Sequence, residues 1–264
     1  MNMAIASDNA RRQGQAVQAS LVVAMAIWGL NVAVVKQLTG SFDTALLAAL
    51  RMLVALAALT GILLWKRCAL ASVSGRQLLA LAVCGVQMVY LNQLSFAEGL
   101  MRSTATNGAL IMALSPLVSA LLASLMFKER LSLLRLLGVV MGFGGVAAVV
   151  LSHPGAGLSH AGSGDLLLVA GVVSFAVGGA LVQRLARGLD PLVISWAIYL
   201  IGTSMLVLQV VFGGGAAWSY AVVFPGWWEW SLIVFSGVMA TALSNLLWNR
   251  AIASIGVART AVFL

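Results

Sequence analysis

Asn107 to Leu151 reads NGALIMALSPLVSALLASLMFKERLSLLRLLGVVMGFGGVAAVVL. Two apolar runs, each near the roughly 20 residues that cross a bilayer as helix, flank one charged turn, Lys128-Glu129-Arg130. Pro116 interrupts the first run. It has no N–H to give the carbonyl of Met112, which neighbouring groups must then satisfy. Gly108, Ser115, Ser119 and Ala123 share a narrow small-residue stripe on that helix. The second run carries Gly138, Gly142 and Gly145 at i, i+4 and i+7, a groove for close helix packing. Each feature alone suits any packed membrane helix; their order is the informative part.

Composition points the same way. The chain is 62% hydrophobic and 8% charged, with a mean hydropathy of +1.05, values foreign to a soluble domain of 264 residues. The expected fold class is therefore an all-α integral membrane protein whose main partner is the lipid bilayer. The net charge of +8 raises nucleic acid as a partner, but the placement of the charges is a topology signal instead. With the N-terminus inside, eleven of the 15 basic residues flank inner ends, Lys36 and Arg102 flank outer ends, and Arg51 and Arg259 fall within spans. This places the N-terminus in the cytoplasm and residues 152–164 outside. A cysteine introduced at Gly157 is expected to label from the outer face; labelling from the cytoplasmic face alone overturns the orientation.

The run Pro116…Phe127-Lys128-Glu129-Arg130-Leu131…Gly138…Gly142…Gly145 resembles the end of an EamA repeat, the unit of the drug/metabolite transporter superfamily. The resemblance covers about residues 18–264. It implies ten spans in two inverted five-helix repeats, in the inner (plasma) membrane, exporting amino acids or other small metabolites.

In chain order, residues 1–17 are polar and lack the apolar core of a signal peptide. Spans are expected at about 20–38, 44–65, 78–96, 107–127, 131–151, 166–185, 191–212 and 231–247, with a ninth beginning near Ile255. Glu98 and Arg102 mark a turn after the third, and Arg51 is expected to snorkel outward from the second. The resulting units are a cytoplasmic segment 1–17, a first repeat 18–151, an extracytoplasmic linker 152–164 and a second repeat 165–264. His153 and His160 lie in the linker without cysteine or carboxylate partners, so solvated loop histidines are favoured over a metal site. Cys68 and Cys84 fall in a loop and a span, which argues against a disulfide. Trp218, Tyr220, Phe224, Trp227, Trp228 and Trp230 read as an interfacial belt, with a substrate lid as the sharper alternative.

The halves match internally. Val35-Lys36-Gln37-Leu38 parallels Val182-Gln183-Arg184-Leu185, and Phe42-Asp43 parallels Leu189-Asp190, at an offset of 147. Leu91-Asn92-Gln93 parallels Leu243-Ser244-Asn245, and Phe96 parallels Trp248, at 152. An odd number of helices per repeat turns the second copy upside down, as in secondary transporters with midplane sites. At the later offset Leu264 corresponds to Met112, so the natural protein is expected to continue about 40 residues further through a tenth span.

Polar residues in hydrocarbon serve as helix–helix glue or line a path. The expected substrate pocket comprises Trp28 and Asn31, Gln87 and Tyr90, Met112, Ser174 and Phe175, with Thr241 on the eighth span. Gly237, Thr241, Ser244, Asn245 and Trp248 are spaced as one α-helical face. Asn92 and Gln93 are assigned to an outer gate, and Ser244, Asn245 and Trp248 to an inner one; Arg259 is a possible contact for a substrate carboxylate. Such a pocket suits a small, uncharged or zwitterionic amphipathic molecule. No cofactor or metal is expected, and no Asp or Glu lies deep in a span to carry protons. No P-loop, HExxH or nucleophile elbow supports an enzyme. An integral-membrane enzyme and a structural membrane protein stand as alternatives to a transporter working as monomer or weak homodimer.

Overall fold

The computed structural model describes residues 2–68, 73–127, 162–212 and 226–263, with single positions between 133 and 148. Its elements are helices: α1 Asn2–Leu38, α2 Thr44–Trp65, α3 Gly75–Arg102, α4 Ala105–Met112, α5 Ser115–Phe127, α6 Ser163–Leu185, α7 Pro191–Phe212, α8 Trp227–Ile255 and α9 Val257–Thr260. Seven stretches are long and apolar enough to cross a membrane, α4 and α5 counting together as one. The Lys128–Arg130 turn, Gly142, Gly145, His153, His160, Trp218, Tyr220 and Phe224 lie outside the described residues. Positions 133, 136–138, 140, 141, 144 and 148 are helical, in the stretch where a fifth span is expected.

Local chemistry sets the helix ends. The Asp43 carboxylate accepts from the N–H groups of Ala45 and Leu46 at 3.0 Å each, capping α2. Asp190, 147 positions later, accepts from Leu192 N–H at 2.7 Å and starts α7 in the same way. Ser74 and Gln77 form a capping box at α3. Arg67 closes α2 at φ 46°, a left-handed position that costs any residue with a Cβ. Arg67→Gly is expected to raise stability by roughly 1 kcal/mol, read as a higher melting midpoint in detergent. Gly256, at φ 83° and ψ 158°, separates α8 from α9 in a region almost reserved for glycine. Pro116 acts as its chemistry requires: α4 stops at Met112 and α5 starts at Ser115.

Two expected spans are longer than their apolar cores. The third reaches from Gly75 to Arg102 and the eighth from Trp227 to Ile255. Glu98 and Arg102 do not form a turn; they pair at 2.7 Å as i, i+4 neighbours inside α3. Each long helix also contains a π-helical segment, over Gly85–Leu91 in α3 and Ser236–Leu243 in α8. These lie 151 to 152 positions apart.

Helices α1 to α3 alternate in direction, the α4–α5 span runs parallel to α6, and polar contacts tie each end. At one end Lys36 Nζ donates to the carbonyls of Leu100 and Ser103, the Thr44 hydroxyl to Glu98, and the Ser103 hydroxyl to Asp165. At the other, Gln183 Oε1 accepts from Val257 N–H at 2.7 Å and Arg184 donates to the Met126 carbonyl at 3.1 Å. Glycines let the long helices touch their neighbours. A Cβ at Gly237 would lie 2.6 Å from Val54 Cγ1 and 2.9 Å from the Arg51 carbonyl oxygen. A Cβ at Gly85 would meet Ile201 Cβ at 2.9 Å and the Ile198 carbonyl oxygen at 3.0 Å. Gly85 and Gly237 differ by 152, and Ile198 and Arg51 by 147, so one contact is built twice. Cys68 and Cys84 are both free thiols.

Candidate functional site

A cavity of about 90 Å³ opens where α1, α2, α3, α4, α5, α6 and α8 meet. One water needs roughly 10–15 Å³ by this kind of measure, so a small organic molecule has room to enter. Its apolar wall is Val32, Phe96, Leu168 and Val172 with the rings of Trp28 and Phe175. Its polar wall holds Asn31, Arg51, Asn92, Gln93, Ser115, Thr241 and Asn245. Met112, Gly171 and Ala240 complete it.

The aromatic side is a three-ring cluster. Trp28 meets Phe175 edge to face at a centroid distance of 5.7 Å and lies 5.4 Å from Trp248; Phe175 and Trp248 are 5.7 Å apart. Such pairs add about 0.5–1.5 kcal/mol each beyond the area they bury. Trp28 Nε1 also donates to the Ala240 carbonyl at 2.7 Å. Ala240 belongs to the α8 π-segment, where displaced backbone bonding leaves carbonyls available to side chains.

The polar side is organised by Arg51. Its side chain is 1% exposed, among the largest fully buried in the protein. It does not snorkel, because it sits seven residues past Thr44, the first residue of α2, and finds partners inward. Nε donates to Ser236 Oγ at 2.6 Å, and the Ser236 hydroxyl donates to Asn31 Oδ1 at 2.6 Å. Nη1 donates to Gln93 Oε1 at 3.4 Å. Gln93 Nε2 donates to Asn92 Oδ1 at 3.2 Å, and Asn92 Nδ2 to the Gly171 carbonyl at 2.9 Å. A guanidinium only donates, so it fixes which way each amide in this chain points. Burying a cation costs several kcal/mol, which these charge-assisted bonds offset in part.

The structure brings Trp28, Asn31, Met112, Phe175 and Thr241 to the cavity, as the sequence suggests, together with Asn92, Gln93 and Asn245. Gln87, Tyr90 and Ser174 do not line it. Arg259 is exposed and away from it, on the short helix after Gly256. The residues expected at two opposite mouths, Asn92, Gln93 and Asn245, line one cavity. Asn92 is the eighteenth of 28 residues in Gly75–Arg102 and Asn245 the nineteenth of 29 in Trp227–Ile255. Both therefore lie in the interior of antiparallel helices and face one cavity. Ser244 turns away and donates to the Met239 carbonyl five residues back, at 2.9 Å, a π-type spacing. The single α-helical face assumed for Gly237 to Trp248 is broken by the same π-segment: Gly237 packs on α2, Thr241 and Asn245 face the cavity, and Trp248 joins the rings. Sequence reasoning missed Arg51, Ser115, Phe96 and Gly171 as lining residues. An arginine seven residues into an otherwise apolar run is a signal that points inward as readily as outward.

Among the described residues no group of His, Cys, Asp and Glu is placed to hold a metal ion. A solved protein structure similar to this chain superposes with a TM-score of 0.75 at 20% identity, over 94% of this chain and 83% of that one. It shares the fold. An uncharacterized transporter of Bacillus subtilis (strain 168), YyaM, is 29% identical over 86% of this chain and 74% of its own length. A second from the same organism, YetK, is 24% identical over 92% of this chain and 74% of its own length. Residues 17–151 match the EamA-like transporter family. With membrane-length helices around a lined cavity and relatives that are themselves named transporters, this chain belongs to the EamA-like transporter family.

Proposed function

We propose that the protein is a secondary transporter that exports small amphipathic metabolites, amino acids or related compounds, across the inner membrane by alternating access. The observation that carries this reading is the cavity itself: an aromatic wall and a polar wall, fed by helices from both halves of the chain. The halves act as inverted repeats. Support comes from the doubled glycine contact at Gly85 and Gly237 and from paired π-segments, devices that recur at functional sites in helices. With the N-terminus cytoplasmic, Arg51, Asn92, Gln93 and Leu168 fall in the outer half, and the Trp28–Phe175–Trp248 cluster closes the inner side. Asn92 and Asn245 then act at the binding site instead of at separate gates. The carrier works as a monomer or weak homodimer on a small-molecule substrate.

Proteoliposomes loaded with mixed amino acids and related metabolites test the reading. Selected compounds are expected to leave faster than from protein-free vesicles, unchanged in chemistry. Met112→Trp, which fills part of the cavity from a half-buried position, is expected to slow that efflux about tenfold, the equivalent of roughly 1.4 kcal/mol. No selective efflux from wild type, or chemical conversion of a loaded compound, argues for a structural protein or an enzyme.

A further inference from the structure

We infer that the cavity selects substrates bearing a carboxylate, and that Arg51 is the residue that receives it. This deepens the transport reading and rests on it for the word substrate; the binding claim itself does not. Arg51 lines the cavity, is 1% exposed, and has no acidic partner among the described residues. Two of its five N–H groups are used, one on Ser236 and one, at long range, on Gln93.

The neighbouring groups sharpen the selection. Because Arg51 can only donate, Gln93 must turn its oxygen toward it and its amine toward Asn92, whose own amine ends on the Gly171 carbonyl. Ser236 likewise accepts from Arg51 and spends its proton on Asn31 Oδ1. Every side-chain oxygen in this chain thus already accepts a protein bond. What remains is donors on two cavity-lining residues: the guanidinium N–H groups and Asn31 Nδ2 that have no acceptor among the described residues. A wall of donors around a buried cation matches a carboxylate, whose two oxygens take a guanidinium in fork geometry. The apolar part of the lining holds the remainder of the molecule. A neutral amide of the same shape offers the guanidinium one oxygen and no charge, so it loses the second arm of the fork and the charge assistance.

The test compares an acid with its amide on the purified full chain. The probes are isocaproate against isocaproamide and leucine against leucinamide, titrated by the shift in thermal midpoint. Wild type is expected to bind each acid at least about tenfold more tightly than its amide, a difference of roughly 1.4 kcal/mol. Arg51→Gln is expected to abolish the preference, and Arg51→Lys, which keeps the charge but loses the fork, to retain part of it. Equal binding of acid and amide by wild type, an absence of binding by both acids, or an unchanged preference in Arg51→Gln overturns the assignment. If Arg51→Gln does not fold, the wild-type pairs and Arg51→Lys decide. Efflux of the same four compounds from proteoliposomes separates this claim from the transport reading. Acid-selective binding without efflux sinks transport and leaves the site; efflux without acid preference does the reverse.

Discussion

Trp28→Ala is expected to lower stability by about 3 kcal/mol, the low end of the roughly 3–5 kcal/mol range for deleting a packed aromatic, because the ring is half open to the cavity. The loss has three sources. Two ring contacts disappear, at 5.7 Å to Phe175 and 5.4 Å to Trp248. The Ala240 carbonyl, bonded at 2.7 Å to Nε1, is left without its donor inside a π-segment. A void then opens at the junction of α1, α6 and α8. Because Trp28 also lines the cavity, the geometry ties any loss of transport in this variant to the loss of stability. Trp28→Phe keeps the ring and loses only the N–H, so it is expected to recover more than half of the stability. Thermal unfolding in detergent, followed by tryptophan fluorescence, reads both. Equal midpoints for wild type and Trp28→Ala would remove the cluster as a structural unit.

Gly202→Ala and Gly61→Ala are expected to differ in sign. A Cβ at Gly202 would sit 2.4 Å from Val89 Cβ, 2.6 Å from Val89 Cγ1 and 2.7 Å from the Gly85 carbonyl oxygen. Val89 is fully buried and stiff at χ1, and the carbonyl belongs to the α3 π-segment, so neither can yield cheaply. Helix α7 must move off α3, and a cost of about 3 kcal/mol follows, the upper end of the usual overpacking range of roughly 1–3 kcal/mol. Gly61 also lies in a helix interior, α2, but nothing stands within 4 Å of the missing methyl. There alanine only removes backbone freedom from the unfolded chain, worth about 0.5–1 kcal/mol of added stability. The pair is measured side by side by reversible unfolding. A stabilised Gly202→Ala would mean that α3 and α7 do not make the contact described.

What the sequence reveals here follows what hydrophobicity encodes. Apolar runs, the proline break at Pro116 and the capping acids Asp43 and Asp190 each have one-dimensional signatures, and the helices formed where those signatures stand. Trp28, Asn31, Met112, Phe175 and Thr241 were legible as residues facing the helix-bundle cavity because polar or aromatic side chains at mid-span tend to face inward. The ends of α3 and α8 were not legible. Charged residues such as Glu98 and Arg102 look like a turn until they are seen to pair along one helix. The π-segments were hidden for a different reason. A π-turn changes the residues per turn without changing composition, so extrapolation at 100° per residue puts Ser244 on the wrong face beyond it. Arg51 was visible but misjudged, since its partners Ser236, Gln93 and Asn31 come from three other helices.

The burial of Arg51 has a consequence for how the carrier feels the membrane voltage. The guanidinium lies within α2, inside the dielectric and on the path of the field. Carrying one elementary charge across the full potential is worth about 2.3 kcal/mol per 100 mV. In the export cycle proposed above, a site loaded with a simple monocarboxylate such as isocaproate, which has no ammonium group, is electrically neutral, while the returning empty site carries its positive charge alone. An inside-negative potential therefore acts on the return step and leaves the loaded step nearly untouched. It draws the empty site toward the inner face, the direction that export requires. Exchange of acid for acid should then proceed at a rate indifferent to voltage, whereas net efflux should quicken as the interior becomes more negative.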